Sequence, residues 1–307
     1  MPDHDTHTNG LMAFRLQFKR LAIVTALLLL CFARPLAQLA LFALHSELFS
    51  YILLVPAISA YLIWIDRKSL SLQPHPCWPA ALFCALAGSA ILAAYSLAAR
   101  SGHAPARQDY LAMMTLSFLC FFWGASLALV GSKLLRQIAF PVGFLVFAAP
   151  LPVAWVAWVD TFFQYTSAAA AAGFFHLCRT PMLRDGLEVH LPSFTLKVGP
   201  ECSGIHSTLV LLLTSLMAGY MFLNRLWQRA LLVLLVLPLA ILRNGFRIFV
   251  IGELCVHISH DMIDSPIHRQ GGPIFFALSL IPFFLVLVFL RKFNSTAPRP
   301  LSAAPQT

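Results

Sequence analysis

The chain has 307 residues, of which 59% are hydrophobic and 11% are charged, and its mean hydropathy is +0.79. Because soluble domains carry about 25% charged residues, this composition excludes an ordinary soluble protein and indicates an integral membrane protein in contact with the lipid bilayer. The net charge of +9 would suggest nucleic acid in a soluble protein. Without a Walker loop, a GxGxxG loop or an aromatic-and-basic RNA motif, it is better explained by membrane topology, and we expect no nucleic-acid partner.

Apolar runs predict the membrane spans, since a transmembrane helix needs about 20 apolar residues. In chain order the predicted spans are 21–44, 49–65, 77–98, 110–131, 137–158, 206–223, 230–256 and 273–291. The first contains Arg34-Pro35, so we expect either a kinked span or a short span followed by an interfacial helix. The seventh is too long for one straight crossing. The predicted fold is an all-α polytopic bundle of about eight transmembrane helices.

The chain divides by composition into three predicted parts. Residues 1–20 form a cytoplasmic N-terminal tail, residues 21–291 a transmembrane domain, and residues 292–307 a disordered cytoplasmic tail. The N-terminal tail is too polar and too long before its apolar run to be a cleaved signal peptide, so we expect the first span to remain as an anchor.

Lysine and arginine residues predict the orientation, because they concentrate in cytoplasmic loops. With both termini inside, the inner segments hold most of them, as expected for a multi-pass protein of the plasma (inner) membrane. Residues 159–205 then form a long outer segment. Within it, 184–198 alternates apolar and polar residues, which predicts a small β-hairpin with a turn at Pro192-Ser193. The small-residue run 166–173 predicts a helix that either packs closely on a neighbour or lies flat at the interface.

Cys202 differs from the other cysteines in its surroundings. The seven cysteines are scattered, mostly in apolar runs, without a CxxC pair, so we expect no disulfide framework and no zinc site. Cys202 instead follows Glu201 and precedes Ser203-Gly204, where a polar loop enters an apolar segment. A helix start there favours a thiolate, and Gly204 leaves room for a substrate backbone. A structural cysteine or a disulfide with Cys178 stays open.

An arginine inside a predicted span is a functional candidate, since inserting it costs about 2.5–3.5 kcal/mol and it must face a cavity or a partner. Arg247 is such a residue, and the neighbouring Asn244 and Gly245 suggest a locally wet or broken helix. Arg243, one turn away, is its rival. A structural ion pair between Arg247 and Glu253 also stays open.

His268 precedes the last predicted span, and the predicted topology puts Cys202, Arg247 and His268 on one side of the membrane. This favours a membrane-embedded cysteine enzyme. The segment before the last span holds further potential ligands: His257, His260, Asp261 and Asp264. A metal-dependent membrane hydrolase or transporter is therefore an alternative, although the spacing matches no HExxH signature. A non-catalytic scaffold, for instance in polysaccharide export, is a third possibility.

Three short motifs occur in a recognisable order before the final apolar helix: 202-CSGI-205, 244-NGFRI-248 and 268-HRQGG-272. This order resembles the exosortase/archaeosortase family of multispanning protein-sorting transpeptidases. The segments 45–67, 150–152 and 185–192 follow the same family order, so the resemblance covers about residues 45–291. It implies that Cys202, Arg247 and His268 are catalytic. The supporting residues it implies are Ser203, Gly204, Asn244 and Gly272.

The resemblance also implies a mechanism, and no cofactor. Cys202 would attack a C-terminal sorting signal of an exported, membrane-anchored protein, in which a short Pro-Glu-Pro-like motif precedes a hydrophobic helix and a basic tail, and form an acyl-thioester. Arg247 and His268 would stabilise the oxyanion and protonate the leaving amine. Because a guanidinium stays protonated, we favour His268 as the acid, while the opposite division stays open. A lipid or polysaccharide amine or hydroxyl would then release the product.

Overall fold

The computed structural model describes residues 3–67, 76–102, 105–192, 194–200, 203–258 and 272–293, and the side chains from residue 16 onward within these ranges. The chain divides into two compact units, Met1–Val156 and Ala157–Thr307. The helices of the first unit are α1 (Asp3–Cys31), α2 (Ala33–His45), α3 (Leu54–Asp66), α4 (Trp78–Arg100), α5 (Arg107–Leu129), α6 (Ser132–Gln137) and α7 (Ala139–Phe144), with 3₁₀ helices at Ser50–Leu53 and Leu145–Ala148.

The second unit combines long helices with a small sheet. Its helices are α8 (Val153–Leu177), which begins in the first unit, α9 (Ile205–Phe222), α10 (Leu226–His257) and α11 (Gly272–Lys292). Its strands are β1 (Leu183–Asp185), β2 (Glu188–His190) and β3 (Thr195–Lys197).

Among the described residues, five helices are long and apolar enough to cross a membrane, namely α4, α5, α9, α10 and α11. Two sharply bent helix pairs raise the count to as many as seven, if each pair forms one span. The predicted second span corresponds to the shorter apolar stretch Ser50–Asp66. The protein is thus a polytopic, multi-pass, all-α membrane protein, and the expected eight spans exceed the five to seven that the described helices provide.

The first predicted span is bent by 72° between Leu16–Cys31 and Ala33–His45. A proline ring collides with the carbonyl group four residues earlier in a continuous helix, which for Pro35 is that of Cys31. In the structure Pro35 lies in the first turn of α2, where its missing N–H removes no helical hydrogen bond. The bend therefore follows from the Arg34-Pro35 pair noted in the sequence.

The fifth predicted span, 137–158, was wrong as a continuous helix. The helical segment Ala139–Ala148 ends, and α8 starts again at Val153 with a bend of 92°. The two prolines of 150-PLP-152 explain the break, because each lacks a backbone donor and disfavours helical geometry in the residue before it. The apolar run continues through the prolines, so its length alone concealed the interruption.

Two polar residues at the start of α5 hold the chain at this break. The Val153 N–H, at the start of α8, donates to Oδ1 of Asp109 over 2.8 Å. Gln108 donates through Nε2 to the carbonyl of Leu151 over 2.5 Å. Since the first N–H groups of a helix have no partner within the helix, Asp109 satisfies one of them. Helix α8 runs to Leu177, so it occupies the first part of the segment 159–205, which was expected to lie outside the membrane, and it includes the helix predicted at 166–173.

The small sheet lies beyond the end of α8 in the chain. Strand β2 pairs antiparallel with β1 and with β3, so the order is β1-β2-β3, and His190 faces Thr195 across the β2–β3 pair. Strands β2 and β3 lie within the range 184–198 where the alternating pattern predicted a hairpin, and β1 is an additional strand. Ser193, in the predicted turn, lies outside the described residues. One side chain from each of β2 and β3, together with the residue that follows each strand, packs against α8 and α10. The buried cluster consists of Val189, Leu191, Leu196 and Val198 with Ala168, Ala171 and Phe175 of α8 and Ile248 of α10.

The small-residue run of α8 packs directly against α10. A Cβ atom placed on Gly245 would lie 2.5 Å from the Cβ of Ala170 and 3.0 Å from the backbone nitrogen of Ala171. Ala168 and Ala171 are fully buried. Small side chains on both helices permit this approach, which is the first of the two alternatives that the sequence left open.

Helix α10 also packs against α9 and α11. Large apolar side chains from the three helices form a buried cluster that includes Leu211, Leu232, Phe283 and Leu287. Gln228 of α10 is fully buried and donates through Nε2, over 3.2 Å, to the carbonyl of Leu290, which is a member of this cluster. The helix that carries both candidate arginines is therefore enclosed by packing on several sides.

Candidate functional site

The candidate site is described in part. Of the three residues expected to be catalytic, Arg247 lies within the described residues, whereas Cys202 and His268 lie outside them. The four expected supporting residues are all described. Gly272 is the first residue of α11, and a Cβ atom there would meet no heavy atom within 4 Å. The other three, Ser203, Gly204 and Asn244, lie together where α9 begins beside α10.

Gly204 has two structural reasons to be glycine. Its φ of 64° lies in the left-handed region, which side chains with a Cβ rarely adopt. A Cβ atom there would also overlap the side-chain amide of Asn244. The sequence interpretation, that Gly204 leaves room for a substrate backbone, was therefore wrong about what fills this space, because the Asn244 side chain occupies it.

Asn244 forms hydrogen bonds both with the segment before α9 and with Arg243, the preceding residue of α10. Its Nδ2 donates to the carbonyl oxygen of Ser203. Its Oδ1 accepts from Arg243 twice, from Nε at 3.2 Å and from Nη2 at 3.1 Å. With 3% of its surface exposed, the amide has both its donor and its acceptor satisfied in a buried position.

Ser203 is fully buried and folds back on the loop before it. Its backbone N–H and its hydroxyl both donate to the carbonyl of Pro200, over 3.1 Å and 2.8 Å. The carbonyl of Ser203 accepts the hydrogen bond from Asn244. Local hydrogen bonds of this kind are typical of serine in turns that precede a helix.

Arg243 binds the same turn one residue further along. It is 7% exposed, and its Nη2 donates to the carbonyl of Gly204 over 3.3 Å and to Oγ1 of Thr208 over 3.4 Å. The same carbonyl accepts the Thr208 hydroxyl at 2.8 Å and the Thr208 N–H at 3.0 Å. A guanidinium within a membrane helix requires such acceptors, because its N–H groups would otherwise be buried without hydrogen-bond partners.

Arg247 lies four residues beyond Arg243, on the same side of α10, and is half-buried. The two guanidinium groups are close enough for their like charges to repel. Glu253, the alternative ion-pair partner that the sequence offered for Arg247, has contacts with two other residues. Its Oε1 accepts from Oγ1 of Thr180 over 2.5 Å, and its Oε2 lies 3.0 Å from Nε2 of His257.

Of the residues predicted as alternative metal ligands, only His257 lies within the described part of the chain. His257, the residue that contacts Glu253, is 70% exposed at the end of α10. His260, Asp261, Asp264 and His268 lie outside the described residues. Within the part of the chain that the structure describes, no group of three or more His, Cys, Asp or Glu side chains is arranged to hold a metal ion.

Sequence reasoning treated Arg243 only as a rival of Arg247 and did not single out Thr208. Both contact the carbonyl of Gly204, which belongs to the cysteine motif. Arg243, which precedes the Asn-x-x-Arg motif by one residue, therefore holds part of the cysteine motif. One signal was present, because Thr208 follows Gly204 by four residues, the spacing at which a threonine hydroxyl reaches back to a helical carbonyl.

A comparison with known protein families agrees with the motif order. The family model described as transmembrane exosortase matches residues 43–285, which is well over half of the chain. No curated protein and no solved structure was found to match.

Proposed function

The chain belongs to the transmembrane exosortase family, and on that premise we propose that it is an integral-membrane cysteine transpeptidase acting through an acyl-thioester on Cys202. Its substrates are exported proteins held in the membrane by a C-terminal sorting signal, with a Pro-Glu-Pro-like motif, a hydrophobic helix and a basic tail. Cleavage removes the helix and tail and passes the remaining protein to an amine or hydroxyl acceptor.

One observation carries this proposal, namely the contact between the two motif segments. Ser203 and Gly204 follow Cys202 directly, while Arg243 and Asn244 adjoin Arg247 on α10. Asn244 donates to the Ser203 carbonyl although the two residues are 41 positions apart, and Arg243 donates to that of Gly204. Because Cys202 is bonded to Ser203, this contact supports a single site that contains both the cysteine and the arginine motif.

The start of α9 favours the nucleophilic form of the cysteine. Helix α9 begins at Ile205, and its first N–H groups carry the positive end of the helix dipole. A thiolate is stabilised near such an end, and Arg243, which donates to the Gly204 carbonyl, adds positive charge beside this turn. Cys202 is then the group in this region best suited to attack a carbonyl carbon.

The reaction proceeds in two acyl-transfer steps. The Cys202 sulfur attacks the scissile carbonyl, a C–S bond forms, and the oxygen becomes an oxyanion stabilised by the positive charge of Arg247. Collapse of this intermediate breaks the C–N bond, and His268 protonates the departing amine. The acceptor amine or hydroxyl then attacks the thioester, gives its proton to the base form of His268 and releases the Cys202 thiolate.

The proposed site opens on the outer face of the plasma membrane. In the eight-span topology predicted from the sequence, lysine and arginine are concentrated in the segments that lie inside, which is the distribution that sets membrane orientation. The hydrophobic helix of the substrate lies in the bilayer beside the enzyme. Its cleavage site is then presented at the outer surface, next to the segment that precedes α9.

Trapping the covalent intermediate tests the proposal. Purified enzyme in lipid nanodiscs is mixed with a tailed substrate that lacks an acceptor, and mass spectrometry follows Cys202. We expect an adduct with the mass of the substrate acyl portion that hydroxylamine removes, because thioesters react with hydroxylamine. Tail removal without an adduct, abolished by a metal chelator, would instead support a metal-dependent hydrolase that uses His257, His260 and His268.

The roles of Arg247 and His268 are separated by the leaving group. We expect His268→Gln to lower kcat on an amide substrate by about 10²–10⁴-fold, and Arg247→Gln by about 10²–10³-fold. On a matched substrate with a nitrophenyl ester at the scissile bond, whose phenolate leaves without protonation, His268→Gln recovers most of its activity and Arg247→Gln does not. Recovery by Arg247→Gln alone would assign proton donation to Arg247.

A further inference from the structure

Two consecutive side chains of α10 bind the two consecutive carbonyls that precede α9. Asn244 donates to the carbonyl of Ser203, and Arg243 donates to that of Gly204. We propose that Arg243 and Asn244 are positioning residues, which hold the Ser203-Gly204 turn against α10 and thereby set the place of the reactive cysteine bonded to it. The inference rests on the proposed function for its catalytic consequence, whereas the contacts themselves do not depend on it.

The two side chains orient each other as well as the turn. Asn244 uses its amide nitrogen for Ser203 and its amide oxygen for Arg243, so the two donors reach adjacent carbonyls as one connected group. A side chain whose two ends are both engaged has its rotamer restricted. Supporting contacts of this kind are what keep a reactive group within a fraction of an ångström of its productive position.

The anchor itself is well supported. Arg243 and Asn244 are 7% and 3% exposed, and they lie in the interior of a 32-residue helix, far from either of its ends. The next residue, Gly245, is in close contact with α8, and the preceding turns of α10 pack on α9 and α11. A turn held by this part of α10 therefore shares the rigidity of the packed helices.

The conformation of Gly204 makes such an anchor useful. A glycine with φ of 64° has access to other backbone conformations, since it lacks the Cβ that would restrict them. The hydrogen bond from Arg243 and the Asn244 amide, which occupies the space that a Cβ on Gly204 would take, select one of them. In enzymes, a displacement of about 1 Å at the reacting group can lower the rate by about 10²-fold.

Two variants remove the anchor with little change in volume. In Asn244→Asp a carboxylate oxygen replaces the amide donor and faces the Ser203 carbonyl, while an acceptor for Arg243 remains. Arg243→Met keeps a long side chain without any donor. The matched control is Gln228→Glu, which makes the same amide-to-carboxylate change on α10, against the carbonyl of Leu290 on α11. Gln228 lies about 24 Å along α10 from Asn244.

Hydrogen–deuterium exchange and kinetics are measured on the full chain in nanodiscs. We expect faster exchange in peptides that cover 198–208 for Asn244→Asp and Arg243→Met, and unchanged exchange there for Gln228→Glu. With turnover expressed per folded molecule, kcat falls by about 10–10² in the two anchor variants while KM stays within about twofold. Arg243→Lys, which keeps one charged donor, recovers part of the rate.

Each other outcome has a defined meaning. Unchanged exchange at 198–208 in both anchor variants would overturn the inference. Faster exchange with an unchanged kcat per folded molecule would also overturn it, because the contacts would then be structural only. If the wild-type enzyme shows no turnover that depends on Cys202, the proposed function fails. Faster exchange in the variants would in that case still establish the anchor as a restraint on the turn.

Discussion

Tail removal is expected to stop when Cys202 is replaced by alanine. Without the thiolate no acyl-thioester forms, and neither Arg247 nor His268 can serve as the nucleophile in its place. Loss of a covalent nucleophile lowers kcat by on the order of 10⁶-fold in well-studied hydrolases, which is below detection here. The measurement is the ratio of cleaved to uncleaved substrate in membranes that contain equal amounts of enzyme.

Two other cysteines provide matched controls for this result. Cys178 is exposed at the end of α8, and Cys255 is buried on α10. We expect Cys178→Ala and Cys255→Ser to retain tail removal when equal amounts of folded protein are compared. Loss of activity in Cys178→Ala as well as in Cys202→Ala would favour the disulfide between them. Retained activity in Cys202→Ala would remove this cysteine from the mechanism.

Replacing Gly245 by alanine is expected to destabilise the second unit. The added methyl group would lie 2.5 Å from the Cβ of Ala170 and 3.0 Å from the backbone nitrogen of Ala171, so α8 and α10 must move apart. Forcing an extra methyl group into a packed interface costs about 1–3 kcal/mol. Thermal unfolding in detergent, followed by the loss of monodisperse protein, should show a lower midpoint for Gly245→Ala than for wild type.

Gly173→Ala on α8 is the matched control for Gly245→Ala. A Cβ atom at Gly173 would meet no heavy atom within 4 Å, so the substitution adds helix propensity without a clash. We expect an unchanged or higher midpoint, since alanine in a helix is favoured over glycine by up to about 1 kcal/mol. The double variant Ala170→Gly/Gly245→Ala removes one of the colliding atoms and should recover part of the loss. Equal midpoints for Gly245→Ala and wild type would contradict the close packing of α8 on α10.

The membrane character and most of the long helices could be predicted from the sequence. Apolar runs give α4, α5, α9, α10 and α11 to within a few residues, because the bilayer core sets the length of a spanning helix. The break at 149–152 was missed because the prediction relied on apolar runs alone. Hydropathy measures the side chains, whereas the interruption comes from the backbone restrictions of Pro150 and Pro152.

The motif order was also a property of the sequence alone. It pointed to the transmembrane exosortase family, and the family model covers residues 43–285. Short motifs can be recognised in the sequence because each consists of a few residues that are close together in the chain. The three-residue interval from Asn244 to Arg247 is one such local pattern.

Only the tertiary structure decided what Arg243 and Asn244 contact. In the sequence Arg243 was a second arginine of unassigned role, and Gly204 was interpreted as space for a substrate. The structure instead places the Asn244 amide in that space and directs Arg243 to the Gly204 carbonyl. Hydrogen bonds between residues some forty positions apart depend on how α9 and α10 pack, so no local pattern predicts them.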